Sequence, residues 1–399
     1  MSLLVLIGCS PSTDTPAVTC TPTTYLGPPL RTVPESIWNA DLGLPIDGQL
    51  DETLASRLDT RLTELLEFYP AVSAAVAIPG EGMWTAAKGV ARADTQTPLP
   101  DPALFQVASI SKAFTSVIVQ QLVLEGKFSL NDSVAQWFPE VPNAELMTVG
   151  DLLEHTNGLV SFNALPDGRD LGADYRSPDE LVAIVSDYPA QFCPGASWAY
   201  TNTGYVILGR IIEATEDKSF AEVLQARITQ PLGLDTTTMP APRTPLNNVV
   251  SGHANGIPSD TATDTFIDYA TPYTSGALAS TAADLLLFWH ALLAGQLTSE
   301  AAVRQSFGTM YPMQPLIPAP AGTQTYYGQG VQLTNAPGGS QGPGMMLGHS
   351  GGITGFNAEV AYLVEDNIYI AVTSSDREVS AAAGLWALTQ VVREVRTTP

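Results

Sequence analysis

The chain has 399 residues, 45% of them hydrophobic and 14% charged, and its 17 Lys+Arg against 40 Asp+Glu give a formal charge of −23. At roughly 150 residues per domain this suggests two or three structural units or one large α/β body, with apolar content enough for a sizeable core and too high for bulk disorder. The acidic balance excludes nucleic acid and anionic membrane surfaces as partners, because no run of cations is present to meet their phosphates.

In chain order, residues 1–45 read as a short signal-like segment and a flexible tether. Met1 to Gly8 is apolar, and Leu6-Ile7-Gly8-Cys9-Ser10 resembles a bacterial lipobox, although no Lys or Arg precedes it. Cys9 is therefore the expected lipidation site, and a lipid there is the one expected route to a membrane. Residues 10–45 are rich in Ser, Thr and Pro with little periodicity, which reads as a tether. Three cysteines make neither a disulfide framework nor a zinc site, and with Cys9 lipidated, Cys20 and Cys193 either pair or stay free. No later stretch reaches the ~20 apolar residues of a membrane span.

Leu54, Leu58, Leu62, Leu65 and Leu66 recur at helical spacing and predict a helix over 51–68. Val72 to Ile78 and Met83 to Val90 predict strands joined at Pro79-Gly80-Glu81-Gly82. A helix is expected over 109–125, stopped by Gly126, followed by a mostly helical region to about 300 that includes Leu285 to Leu293. Glu359 to Val364 and Ile368 to Thr373 predict a second hairpin, and the chain closes with a helix over 378–395. The expected class is α/β (α+β): an antiparallel sheet built from both ends, flanked by terminal helices, with an inserted helical subdomain. In numbers, one domain spans 46–399, its α/β part about 46–112 and 325–399 and its helical part about 113–324.

The four histidines (His155, His253, His290, His349) are far apart and show no metal-binding pairing. Phosphate loops and dinucleotide fingerprints are missing as well, so no cofactor or metal is expected. Gly-x-Ser-x-Gly occurs twice, around Ser340 and Ser350, but neither serine sits between a strand and a helix, and no suitably spaced histidine follows. Ser109-Ile110-Ser111-Lys112 fits serine chemistry better. Lys88, Lys112, Lys127 and Lys218 are the only lysines, and Lys112 stands one helical turn from Ser109. A serine is a poor nucleophile until a neighbour takes its proton, and a desolvated lysine can do so. Tyr200-Thr201-Asn202 adds a phenol able to move a proton and an amide able to hold Lys112 or substrate. His349-Ser350-Gly351 lies just before the last strands, and a Gly-rich edge strand there would let a peptide backbone lie alongside.

Together these motifs resemble the Ser-x-x-Lys, Tyr-x-Asn and His-x-Gly set of the serine β-lactamase and penicillin-binding-protein family. The nearest branch contains class C β-lactamases, DD-carboxypeptidases, D-aminopeptidases and related esterases. Leu152-Leu153-Glu154-His155-Thr156-Asn157-Gly158-Leu159 and Gly276-Ala277-Leu278-Ala279-Ser280-Thr281 are similar to further family segments, and the likeness spans roughly 50–395. The resemblance implies a β-lactamase/transpeptidase-like fold and an acyl-enzyme on Ser109, with Lys112 and Tyr200 sharing the base role. It also implies that Asn202, His349 and Gly351 bind substrate and that the N–H groups of Ser109 and Gly352 form the oxyanion hole. His155 is expected to be structural. Class C enzymes carry Lys where this chain has His349, and a histidine would titrate near neutrality and weaken its grip on a carboxylate as pH rises. The expected substrate is a D-amino-acid peptide, met in the cell envelope or outside it. A short-chain ester or a β-lactam is the alternative, and a non-catalytic envelope-binding protein a further one.

Overall fold

The computed structural model describes residues 20–171, 174–244, 246–258, 269–313 and 321–397. Cys9 lies outside the described residues. Nine strands form one sheet: β1 (Ala71–Ile78), β2 (Gly82–Arg92), β3 (Thr97–Pro98), β4 (Tyr311–Met313), β5 (Gln324–Tyr327), β6 (Gln332–Asn335), β7 (Met345–Ile353), β8 (Phe356–Leu363) and β9 (Ile368–Ser374). Their order is β3-β2-β1-β9-β8-β7-β6-β5-β4, antiparallel throughout. The first and last parts of the chain meet where β1 pairs with β9, Val72 opposite Ser374.

Both faces of the central strands are buried, so β1 reads as a continuous small apolar run. On one face Val72, Val76, Ile370 and Val372 pack under helix α1 (Glu52–Glu64) and the closing helix. Asp51 caps α1 by accepting from the N–H groups of Thr53 and Leu54, and Leu54, Leu58 and Leu62 form its buried stripe. On the other face Ala75, Ala77, Val360 and Ala371 join the larger core. That core includes α2 (Ser111–Leu124), α3 (Asn202–Glu216) and α4 (Ala282–Leu293). Helix α2 is buried on almost every side. The closing helix, α5 (Ala381–Thr397), completes the first face with Leu385, Leu388, Val391 and Val392.

Two expectations need correction. Residues 20–45 are not a free tether: Val33, Ile37 and Leu42 are buried in the main core, and Arg31 and Met310 exchange backbone hydrogen bonds of 3.0 and 2.9 Å. Cys20 pairs with Cys193, and Tyr25 packs edge-on against Tyr311. The segment is a strap across the body, held by scattered apolar anchors that make no periodic pattern. The second correction concerns His349. Its strand β7 lies between β6 and β8, inside the sheet. Only beyond Gly348 does the pairing with β6 end, so the stretch to Ile353 pairs as a strand with β8 alone, while Ser350 N–H donates to the Gln332 side chain at 3.2 Å. The open edge is local. Among the described residues no helix is long and apolar enough to cross a membrane.

Candidate active site

Ser109 sits in a single 3-10 turn, Ala108–Ile110, that runs into α2. Two neighbours fix this turn. From one side, Val107 N–H donates to the Leu278 carbonyl at 2.9 Å and Leu278 N–H to Ser111 Oγ at 3.1 Å. From the other side comes the open end of β7. Any Cβ on Gly351 would lie 2.1 Å from the Val107 carbonyl oxygen, so only glycine lets the strand approach this closely. Ala108, just before the serine, is held at φ +48°, an unfavourable region for a residue with a side chain.

Lys112 is wholly buried. Its Nζ lies 2.7 Å from Asn202 Oδ1, 2.7 Å from the Ser275 carbonyl and 3.2 Å from Ser109 Oγ. Burial drives its pKa well below the usual lysine value. In the neutral amine, two N–H bonds serve Asn202 and Ser275, and the lone pair faces the serine hydroxyl. The rings of Tyr200 and Tyr205 lie 4.8 and 5.5 Å from Nζ. By contrast Lys88 pairs with Asp59 at 2.7 Å, and Lys127 and Lys218 are exposed.

Tyr200 precedes the N-cap of α3, where Thr201 accepts from Thr203 N–H. Its ring is partly exposed, but its hydroxyl is buried and faces Ser109 without completing a hydrogen bond. Burial pushes the phenol well above its ordinary pKa, only slightly offset by Ser109, so it keeps its proton at neutral pH. His155 holds the segment in place: its carbonyl accepts from Ala199 N–H at 3.1 Å and its Nδ1 from Thr201 N–H at 3.3 Å. Its ring lies 4.3 Å from that of Tyr200. At the start of α3, Asn202 N–H donates to Ser161 Oγ, and Asn202 Nδ2 donates to Asn163 Oδ1, both at 2.9 Å.

His349 is buried and does not titrate near neutrality, contrary to expectation. Its Nδ1 lies 2.7 Å from the Ser350 carbonyl, which can only accept, so Nδ1 carries the proton. Nε2 then accepts from the Tyr327 hydroxyl at 3.1 Å. Burial first, then the Lys112 charge, lowers its pKa to about 3. It is a neutral packing group, not an exposed cation.

A cavity of about 560 Å³ opens over Ser109. Ser109, Asn202, Ser275 and Gly352 line it together with Phe162, Asn163, Leu165 and Arg169 from the loop that precedes the helix Pro178–Ser186 and with Arg377 from beyond β9. The structure thus brings Ser109, Lys112, Tyr200, Asn202 and the Gly351–Gly352 stretch to one place, with His349 behind it. Sequence reasoning passed over Ser275, Asn163 and Tyr327. The first acts through a backbone carbonyl, which has no side-chain signature, and the others lie in segments without a motif.

The family model described as Beta-lactamase matches residues 58–393. This chain belongs to the beta-lactamase family. It is a family of serine hydrolases. The chain is 33% identical over 190 residues to "Penicillin-binding protein 4" of Amycolatopsis lactamdurans, covering 46% of this chain and 48% of the relative. It is 30% identical over 201 residues to "Esterase EstB" of Burkholderia gladioli, covering 46% and 50%. The matched stretch is thus about half the length of each of these relatives. The D-amino acid amidase of Ochrobactrum anthropi SV3, solved with L-phenylalanine amide, superposes with a TM-score of 0.74 at 24% identity. That match covers 87% of this chain and 100% of the amidase, and it shows the shared β-lactamase/transpeptidase fold.

Proposed function

We propose that this member of the family hydrolyses its substrate through an acyl-enzyme on Ser109. The observation that carries this reading is the setting of Lys112: buried, lowered in pKa, with two N–H groups committed and its remaining valence on Ser109 Oγ. As Ser109 Oγ bonds to the substrate carbonyl carbon, its proton passes to Lys112 Nζ. The carbonyl oxygen becomes an oxyanion, for which the backbone N–H groups of Ser109 and Gly352 are the assigned donors. When the C–N or C–O bond breaks, the neutral Tyr200 phenol hands its proton to the leaving atom and is reprotonated from Lys112. Water then attacks the ester carbonyl, with the protons moving in reverse, and releases the acid and free Ser109. Asn202 orients Lys112, and the open edge at Gly351–Gly352 is where a substrate backbone would lie.

As the finer reading we propose a DD-carboxypeptidase, a penicillin-binding-protein-like peptidase acting on D-amino-acid peptides in the cell envelope. The relatives named as penicillin-binding proteins support it. The Cys20–Cys193 disulfide supports an oxidising compartment. The neutral His349 offers no cation at the third motif, which speaks against fast β-lactam turnover. Likeness to the Burkholderia esterase supports a second reading, a carboxylesterase on the same residues. Mass spectrometry after incubation with penicillin tests the mechanism: wild type should carry a lasting adduct on Ser109, and Ser109→Ala none. An adduct that persists in the variant, or none in the wild type, would sink it; rapid release would indicate a β-lactamase. Hydrolysis of p-nitrophenyl butyrate without cleavage of a D-Ala-D-Ala peptide would favour the esterase.

A further inference from the structure

We infer that the strap is a positioning element for Tyr200: its stretch from Cys20 to Leu26 holds the segment before Tyr200 against His155 and so aims the phenol at Ser109. The inference rests on the proton-donor role given to Tyr200 above. A proton donor works only within hydrogen-bond reach of the leaving atom, and Tyr200 has little of its own to keep it there. Its hydroxyl is buried without a hydrogen-bond partner, as is the indole N–H of nearby Trp198. Residues 191–200 form neither helix nor strand.

The segment is gripped from two sides instead. On the inner side Gly195 N–H donates to the Thr156 carbonyl at 2.9 Å, Ala199 N–H to the His155 carbonyl and Thr201 N–H to His155 Nδ1. On the outer side stands the strap. The segment turns at Cys193–Ala196, where Ala196 N–H donates to the Cys193 carbonyl at 2.9 Å. The strap fastens both ends of that turn: Cys20 is bonded to Cys193, and Leu26 N–H donates to the Ala196 carbonyl at 2.9 Å. A second path reaches His155 itself. Tyr25 packs against Tyr311 with ring centroids 5.1 Å apart, and the Tyr311 hydroxyl donates to Glu154 Oε2 at 3.1 Å. Gln329 Nε2 donates to the other oxygen of Glu154, the residue next to His155, at 2.7 Å. The strap thus bears on the segment that His155 holds and on the neighbour that fixes His155. The anchors Val33, Ile37 and Leu42 lie further along the strap, in the main core, so opening the disulfide should release the segment and leave the core folded.

The test times the labelling of Ser109 by two probes in wild type, Cys20→Ser and Tyr200→Phe. Penicillin has a leaving nitrogen that needs a proton, whereas the fluoride of a fluorophosphonate leaves as the anion. In Cys20→Ser, acylation by penicillin should fall roughly tenfold, part of what a well-placed proton donor supplies, and fluorophosphonate labelling should stay within about twofold. Equal slowing of both probes, or unchanged acylation by penicillin, overturns the inference. Amide hydrogen exchange is read on the same proteins. The N–H groups of Ala199 and Thr201 should exchange at least about tenfold faster in Cys20→Ser while those of α2 keep their protection; wild-type exchange at Ala199 and Thr201 also overturns the inference. If Cys20→Ser does not fold, folded wild type treated with dithiothreitol takes its place, the reagent becoming its cyclic disulfide as Cys20 and Cys193 become thiols. Tyr200→Phe tests the underlying reading separately. If it does not lose penicillin acylation selectively, the proton-donor role fails, and the exchange data alone decide whether the strap holds the segment.

Discussion

At the scale of single residues, the site depends on burial changing what ordinary side chains are. The base role proposed for Lys112 rests on surroundings that disfavour the ammonium. Acylation by penicillin should therefore rise with pH as Lys112 loses its proton and then level off. Lys112→Arg, charged at every accessible pH, should acylate at least ~10²-fold more slowly, within the usual range for a lost general base. His349→Gln should change the height of that profile and not its shape, since the imidazole is already neutral above about pH 3; a step near pH 6.5 that vanishes in the variant would contradict this. Stability carries the same signature. Between the lowered folded pKa of Lys112 and about 10.4, the unfolded chain binds a proton that the folded chain does not, so stability rises with pH across that window. Lys112→Met should flatten this rise in denaturant titrations at several pH values.

At the scale of elements, one contact couples the sheet to the proposed nucleophile: the end of β7 against the Ser109 turn. In Gly351→Ala the new methyl would meet the Val107 carbonyl at 2.1 Å and Ser109 N at 3.3 Å. Neither backbone atom can turn aside, so the turn must shift. A loss of about 1–3 kcal/mol is expected from overpacking, with acylation slowed on the order of 10²-fold by the misplaced serine. Wild-type acylation by that variant, measured in stopped flow, would show that β7 does not set the turn. The elements themselves were unequally legible. Leu54, Leu58 and Leu62 announce α1, and the runs around Glu365-Asp366-Asn367 announce β8 and β9, because burial on one face or both leaves a period or an unbroken apolar run. Strands β4 to β6 were not foreseen: Gln324–Tyr327 and Gln332–Asn335 are short and half polar, and their pairing decides their state. In the site, Ser109, Lys112, Tyr200 and Asn202 stand out by residue type and spacing. The burial of His349 does not, since it arises from what packs around it.

At the scale of the whole molecule, the strap and the sheet tie distant parts together. The disulfide joins Cys20 to Cys193 across 173 positions and fastens the strap to the segment that leads to Tyr200. A chain-entropy argument allows up to about 5 kcal/mol for such a loop, and about 2–5 kcal/mol is typical when a native disulfide is removed. Cys20→Ser should lose that much in urea denaturation, and reducing the wild type should reproduce the loss; an unchanged midpoint would mean that the apolar anchors Val33, Ile37 and Leu42 hold the strap alone. The sheet order has a consequence for biogenesis. Strand β1 pairs with β2 at once, but its other edge waits for β9, nearly the last piece to be made. Until then the ribosome and any export machinery handle a hairpin with an apolar, unpaired edge, the kind of surface on which nascent chains stick to one another. Chains cut short before Ile368 should therefore accumulate as aggregates bound by chaperones, even though every residue from Ser109 to Gly352 has already been synthesised.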